Sequence, residues 1–218
     1  YGLDIVLDCL ALEEGRVADA SPRLEARLVE HPNATWLLRD VARARLARGD
    51  LAGAHDANEA FLARVNETAP VDTRWDTYQD LVRIADARGD IDEAVTTFER
   101  AIDALDEADP RPTFALGRYL RQRGRPDDAI EVMETLRGSR VPEGELFEEI
   151  GLAELARGRV EEARTMLEAV ARAAACKCGS RIPQAALDAL VGIYETRGEH
   201  ARADELKRTL VRNGCATH

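Results

Sequence analysis

Apolar residues along the chain fall in short stretches with a helical period, and each stretch ends at a glycine. Leu81, Val82, Ile84 and Ala85 form one such stretch, closed by Gly89. Spacing of this kind puts the apolar side chains on one face of a helix. A second, longer period lies over the first. A glycine followed five residues later by an alanine occurs at Gly15/Ala20, Gly49/Ala54, Gly89/Ala94, Gly124/Ala129, Gly158/Ala163 and Gly198/Ala203. Successive glycines are 34, 40, 35, 34 and 40 residues apart. The two longer intervals read as insertions of about six residues into a repeated helical unit.

The residues around each glycine predict a tight turn between two helices. Arginine precedes five of the six, as Arg48, Arg88, Arg123, Arg157 and Arg197. There a cation complements the negative end of a helix dipole. Glycine then takes the left-handed conformation that a Cβ would penalise. Acidic pairs follow at the start of the next helix, as Asp92-Glu93, Asp127-Asp128 and Glu161-Glu162, and Pro126 suits a first helical turn. The small alanine five residues on lets two antiparallel helices approach closely. The predicted pairs are 2–14 with 17–31, 34–48 with 51–65, 73–88 with 91–107, 112–123 with 126–137, 143–157 with 160–175, and 183–197 with 200–213. They form units over 1–33, 34–72, 73–109, 110–142, 143–182 and 183–218. No unit buries its apolar stripe alone, so a single domain over 1–218 is expected.

These residues resemble the tetratricopeptide family. Leu116-Gly117 and Ile150-Gly151 match its Leu-Gly step, Tyr78 and Phe147 its bulky opener, and Tyr194 its tyrosine. Gly49-Asp50 and Gly89-Asp90 match its turn, and Pro32 alone stands in the usual place of its closing proline. The first and last units depart most from the pattern. The resemblance implies an all-α, right-handed superhelical solenoid of antiparallel helix pairs. It also implies a concave face lined by the first helix of each pair.

Composition narrows the function. The net charge of −11 argues against a general binder of nucleic acid or anionic membrane. Lys177 and Lys207 are the only lysines, so the positive charge is nearly all arginine. No apolar run approaches the roughly 20 residues of a membrane span. The chain begins at Tyr1 rather than Met, which fits removal of an upstream segment. Asn33-Ala34-Thr35 and Asn66-Glu67-Thr68 are sequons of exported proteins, whereas the unpaired Cys9 fits a cytoplasmic setting.

Residues six positions before each glycine fall on the implied concave face. The middle units place Arg43, Arg83 and Arg118 there, and the flanking units Cys9, Leu152 and Gly192. Trp36, Arg39, Phe114 and Arg121 share that helical face. Guanidinium forks bind carboxylates bidentately, so an acidic segment of a partner is the expected ligand. Carboxylate clamps of the family grip acidic tails with a Lys and Asn arrangement; the aligned residues here are arginines. The plainer alternative is a solvated surface on which Asp40/Arg43, Asp80/Arg83 and Arg83/Asp86 pair at helical spacing.

A second candidate is the cluster of Cys176, Cys178, Cys215 and His218. Cys176 and Cys215 occupy nearly equivalent places on neighbouring second helices, which pack about 10 Å apart. Three readings stay open: a Cys₃His structural zinc site, a disulfide from Cys215 to Cys176 or Cys178, and free thiols. Inserted residues 66–72 and 176–183 are partner-contact loops or tolerated decoration. The sequence carries no Gly-rich phosphate loop and no nucleophile elbow. The expected function is therefore a non-enzymatic scaffold or adaptor that holds a peptide or helix of a partner protein, including a subunit of a larger complex. The alternatives are a regulatory metalloprotein or redox sensor acting through the Cys/His cluster, and a subunit that assembles end to end.

Overall fold

A computed structural model describes residues 7–8, 10–12, 14–65, 68–105, 109–175 and 183–214, with side chains described for all of these except 174–175 and 209–214. The chain divides into two compact units, residues 1–107 and 108–218. The first contains α1 (residues 7–8 and 10–12), α2 (Val17–Glu30), α3 (Thr35–Ala47), α4 (Leu51–Val65), α5 (Val71–Ala87) and α6 (Ile91–Ala104). The second contains α7 (Arg111–Gln122), α8 (Pro126–Glu134), α9 (Glu143–Ala156), α10 (Val160–Ala175), α11 (Gln184–Thr196) and α12 (His200–Gly214). No strand occurs among the described residues. In both units each odd-numbered helix pairs with the even-numbered helix that follows it.

All six repeat glycines have positive φ, between 74° and 84°. At Gly89 the backbone N–H donates to Asp86 O at 2.9 Å, and the next N–H, of Asp90, donates to Ala85 O at 2.9 Å. This is a Schellman turn, which satisfies carbonyls that a helix end otherwise leaves unpaired. The same outer bond closes the other five turns, from Arg16, Asp50, Arg125, Arg159 and Glu199. Where the residue after glycine is Asp, it also caps the second helix. Asp50 Oδ1 accepts from Gly53 N at 2.9 Å, and Asp90 Oδ1 accepts from Glu93 N at 2.9 Å. The alanines five residues past the glycines are buried, none more than 1% exposed. Helix contact is equally close at Gly117 and Gly151. A Cβ built on Gly117 would lie 2.6 Å from Met133 Cγ, and one on Gly151 would lie 2.9 Å from a Leu167 methyl.

The cores join one pair to the next. In the first unit Leu24 of α2 packs with Leu37, Val41 and Ala44 of α3. In the second, Met133 of α8 and Leu136 pack with Leu146 and Ile150 of α9, and Leu167 and Val170 of α10 with Leu190 and Ile193 of α11. Each fully buried leucine contributes about 1.5–3 kcal/mol, so adjacent pairs hold each other.

Four of the five arginines before the turn glycines do more than complement a dipole, because they reach back to the second helix of the preceding pair, while Arg123 lies over the Tyr119 ring of its own helix. Arg48 donates to Ser21 Oγ at 2.7 Å and pairs with Glu25 at 2.6 Å. Arg88 donates to Leu51 O at 3.2 Å, Arg157 pairs with Asp127 at 2.9 Å, and Arg197 pairs with Glu161.

Some boundaries differ from the predicted ones. The helix expected over 126–137 ends at Glu134, because Leu136 N and Arg137 N bond three residues back and Gly138 takes φ 80°. The helix expected from residue 73 begins at Val71, so part of the first insertion is helical. Proline recurs more regularly than Pro32 alone indicated. Pro70, Pro110, Pro142 and Pro183 are the N-cap residues of α5, α7, α9 and α11.

Gly89→Ala is expected to lower stability by about 1–2 kcal/mol through left-handed strain, since its Cβ would meet nothing within 4 Å. Ala94→Leu is expected to cost about 1–3 kcal/mol by overpacking. Urea denaturation of the full chain measures both, and unchanged midpoints would contradict the turn and contact assignments.

Candidate functional site

The exposed faces of the first helices carry the residues singled out from sequence. In the first unit α3 presents Trp36, Arg39 and Arg43, and α5 presents Asp76 and Arg83. Trp36 is 45% exposed, an unusual position for a large aromatic ring. Arg39 spans the two helices: its guanidinium lies 3.4 Å from Asp76 and 5.8 Å from the centre of the Phe61 ring. Arg83 pairs with Asp80 one turn earlier at 2.9 Å, with most of its side chain in solvent. Arg43 is exposed and makes no hydrogen bond or ion pair among the described residues.

Asp80 is buried at the centre of this group, its side chain 12% exposed. Burial pushes its carboxyl above the ordinary carboxylate value, against the opposing pull of Arg83, Arg39 and Arg43. Three cations thus surround a carboxyl whose charged form is poorly solvated. Desolvation outweighs their attraction.

The second unit uses its arginines differently. Arg118 Nε lies 2.9 Å from Glu149 Oε1, and Arg121 donates to Glu149 Oε2 at 2.8 Å. One nearly buried carboxylate of α9 therefore holds two cations of α7. Phe114 is half-buried against the Met133–Ile150 cluster rather than open to solvent. Glu148, also on α9, accepts from Ala186 N at 3.3 Å in the first turn of α11, where a carboxylate complements the helix dipole. Farther along, Leu155, Val160, Ala189, Gly192 and Ile193 line an apolar hollow of about 330 Å³. At the register where α3, α5 and α7 carry Arg43, Arg83 and Arg118, α11 carries Gly192, with no side chain to fill the hollow. Sequence spacing selected the exposed arginines but not their acidic partners on the next first helix, which are set by packing.

Cys9, Cys176, Cys178, Cys215 and His218 lie outside the described residues, as do residues 66–67 and 176–182 of the insertions. Among the described residues no group of three or more His, Cys, Asp or Glu side chains is placed to hold a metal ion. Among them, too, no helix is long and apolar enough to cross a membrane.

A family model described as tetratricopeptide repeat matches residues 80–140 and, overlapping them, 114–176. Residues 80–176 are tetratricopeptide repeats, and the helix pairs described on either side have the same fold. Among solved structures it is similar to a tetratricopeptide repeat protein from Parabacteroides merdae ATCC 43184, at 13% identity over 96% of this chain and 78% of that one, with a TM-score of 0.69. It is also similar to MamA from Desulfovibrio magneticus RS-1, at 14% identity over 85% of this chain and 97% of that one, with a TM-score of 0.62. A third similar structure is YrrB, described as a TPR protein with an unusual peptide-binding site, at 16% identity over 84% and 87% of the two chains, with a TM-score of 0.58. Identities this low speak for the fold alone. No curated protein matches the chain in sequence.

Replacing Asp80 by asparagine keeps its shape and removes its charge. A carboxyl whose folded pKa lies above its unfolded value holds its proton more tightly when folded, so its contribution to stability falls as pH rises through the carboxylate range. Asp80→Asn is therefore expected to melt above the wild type at about pH 7 and to lose that advantage near pH 3, where Asp80 itself is protonated. Thermal melts across that range check the sign, and a variant that melts lower at neutral pH would reverse it.

Proposed function

We propose that this repeat protein is a non-enzymatic scaffold that holds an acidic segment of a partner protein against its first helices. The fold is one generally used for protein–protein interaction rather than catalysis. The observation that carries the finer reading is the pair Arg43 and Arg83, at the same register of adjacent first helices in the first unit. Arg43 is exposed and its charge acts on Asp80 without a direct bond, and Arg83 pairs with the same carboxyl on its own helix. Arg83 is mostly solvated and makes a single bond to Asp80, a carboxyl whose charge burial already disfavours, so Asp80 competes weakly for Arg83 against a ligand carboxylate. Charge-assisted hydrogen bonds to a carboxylate are worth about 1.5–3 kcal/mol each. Trp36 on the same face offers an apolar surface for a neighbouring ligand side chain. YrrB, with the same fold, is described as having a peptide-binding site, which supports a peptide as the ligand class.

The test uses a fluorescein-labelled peptide of about ten residues built from glutamate, aspartate and leucine, with a free C-terminal carboxylate. Anisotropy titration of the full chain is expected to show salt-sensitive binding. Arg43→Glu with Arg83→Glu is expected to weaken it by about tenfold or more, a loss of about 1.4 kcal/mol, with the helical circular-dichroism signal of the free protein retained at the assay temperature. Equal affinity for the wild type and the double variant would overturn the reading.

A further inference from the structure

The hollow beside α11 has a floor of core side chains and a glycine where other repeats place a long side chain. Leu155 of α9, Val160 of α10 and Ala189 and Ile193 of α11 line it, with Thr196 and Arg197 at its turn end. Ile193 is part of the core that joins α10 to α11, and Leu155 and Ala189 pack against that core. Val160 is 37% exposed at the rim, so this apolar floor is open to solvent.

Nothing in the backbone requires glycine at residue 192. It has ordinary helical backbone rather than positive φ, and a Cβ built on it would meet nothing within 4 Å. Gly117 and Gly151, also inside first helices, differ, because Met133 and Leu167 leave no room for a Cβ there. Glycine inside a helix is less favourable than any other residue but proline. Here that cost brings no closer helix contact; what it leaves is room. At the same register α3, α5, α7 and α9 carry Arg43, Arg83, Arg118 and Leu152. One turn earlier, where α11 has Ala189, α3, α5 and α9 carry Asp40, Asp80 and Glu149. On α11 both the long side chain and the acid are replaced by small residues.

The chain itself leads away from the hollow. It enters α11 at Pro183, and Gly192 lies nine residues on, about 13 Å along the helix axis. From the Gly198 turn α12 runs back antiparallel, so Gly214 stands at the end of the pair away from that turn. The hollow lies toward the turn.

Charge near the hollow favours a cation on the ligand. Arg197 at the rim is engaged by Glu161 and, at 3.2 Å, by Glu199. Glu195, one turn past Gly192, accepts from Lys207 at 2.6 Å. Asp188, exposed one turn before Gly192, is held instead by the neutral amide of Gln184 at 2.9 Å. It is the carboxylate of this group whose partner carries no charge.

We propose that the hollow takes an aliphatic side chain of a partner peptide, with a lysine or arginine of that peptide at Asp188. A volume of about 330 Å³ stands at the lower end of the roughly 300–1,000 Å³ of ligand pockets. That is room for one or two side chains of a longer segment. The ligand is opposite in charge to the one assigned to α3 and α5, so either assignment can fail without the other.

The probe is a fluorescein-labelled peptide of about ten residues, with one leucine between lysines in a glycine–serine background. It is titrated into the full chain at about 150 mM salt. Gly192→Met fills the hollow from within, and methionine is the better helix former. This variant is expected to melt at or above the wild type and to bind the peptide about tenfold or more weakly. Replacing the peptide's leucine by serine is expected to weaken binding similarly. Asp188→Asn is expected to weaken binding about threefold and to leave unchanged the binding of a peptide with glutamine for lysine. Equal affinity of Gly192→Met and the wild type would overturn the proposal as general attraction of lysines to an acidic protein. So would the absence of wild-type binding below about 1 mM. Light scattering that finds a wild-type dimer abolished by Gly192→Met would overturn it too, by assigning the hollow to a second copy.

Discussion

The architecture depends on one backbone constraint: six times the chain must reverse within a single residue held at positive φ. Only glycine takes that conformation without a steric penalty, and the turn it makes returns the chain antiparallel to itself. Once the turn is fixed, the alanine five residues later is brought to the line of closest approach between the helices. Its burial in all six repeats follows from geometry rather than hydrophobicity, because a longer side chain would force the helices apart. Gly117 and Gly151 do the same from the opposing helix, letting Met133 and Leu167 lie against bare backbone. Small residues thus set helix separation, and large ones such as Leu24, Leu136 and Val170 are freed to point outward from the pair and bind the next one.

Arginine supplies the polar half of this stitching. Its fork reaches farther than a lysine's single ammonium and holds two acceptors at once. Arg48 engages Ser21 and Glu25, and Arg100 grips both oxygens of Glu59 from the next second helix at 2.8 and 2.9 Å. Arg64 binds a carbonyl of the turn between α2 and α3, Pro32 O at 2.6 Å, and Arg74 caps the end of α6 at Ala104 O, 2.8 Å away. An arginine-rich, lysine-poor composition therefore has a structural use in this fold, whatever its origin in the genome.

The contrast between what the sequence disclosed and what it withheld follows the range of each interaction. Turn glycines, buried alanines and the number of pairs were readable because each depends on residues within a few positions of one another. The premature end of α8 at Glu134 was not, since Pro126–Arg137 has ordinary helical composition and Gly138 acts from beyond it. The recurring prolines at 70, 110, 142 and 183 were hidden because insertions shift them relative to the glycines. The arginine stripe on the first helices was legible, as was the same-helix pair Asp80/Arg83, but the acidic partners on neighbouring helices were not. Asp76 and Glu149 lie 37 and 28 residues from the arginines they bind, and only the stacking of pairs brings them together.

That stacking decides which arginines are free to recognise anything. In the second unit a ligand carboxylate that approached Arg118 and Arg121 would have to displace Glu149, itself a carboxylate with both oxygens engaged. Exchanging one such pair for another gains little. It would also leave Glu149 nearly buried and charged without its cations, a state costing several kcal/mol. In the first unit Asp80 is the reverse case. Burial already disfavours its charge, its bond to Arg83 is a single one to a mostly solvated guanidinium, and Arg43 beside it is exposed. Two arginine-bearing faces that look equivalent in sequence therefore differ in the free energy left for a partner. The proposed acidic ligand is therefore assigned to the face with the weaker internal acid.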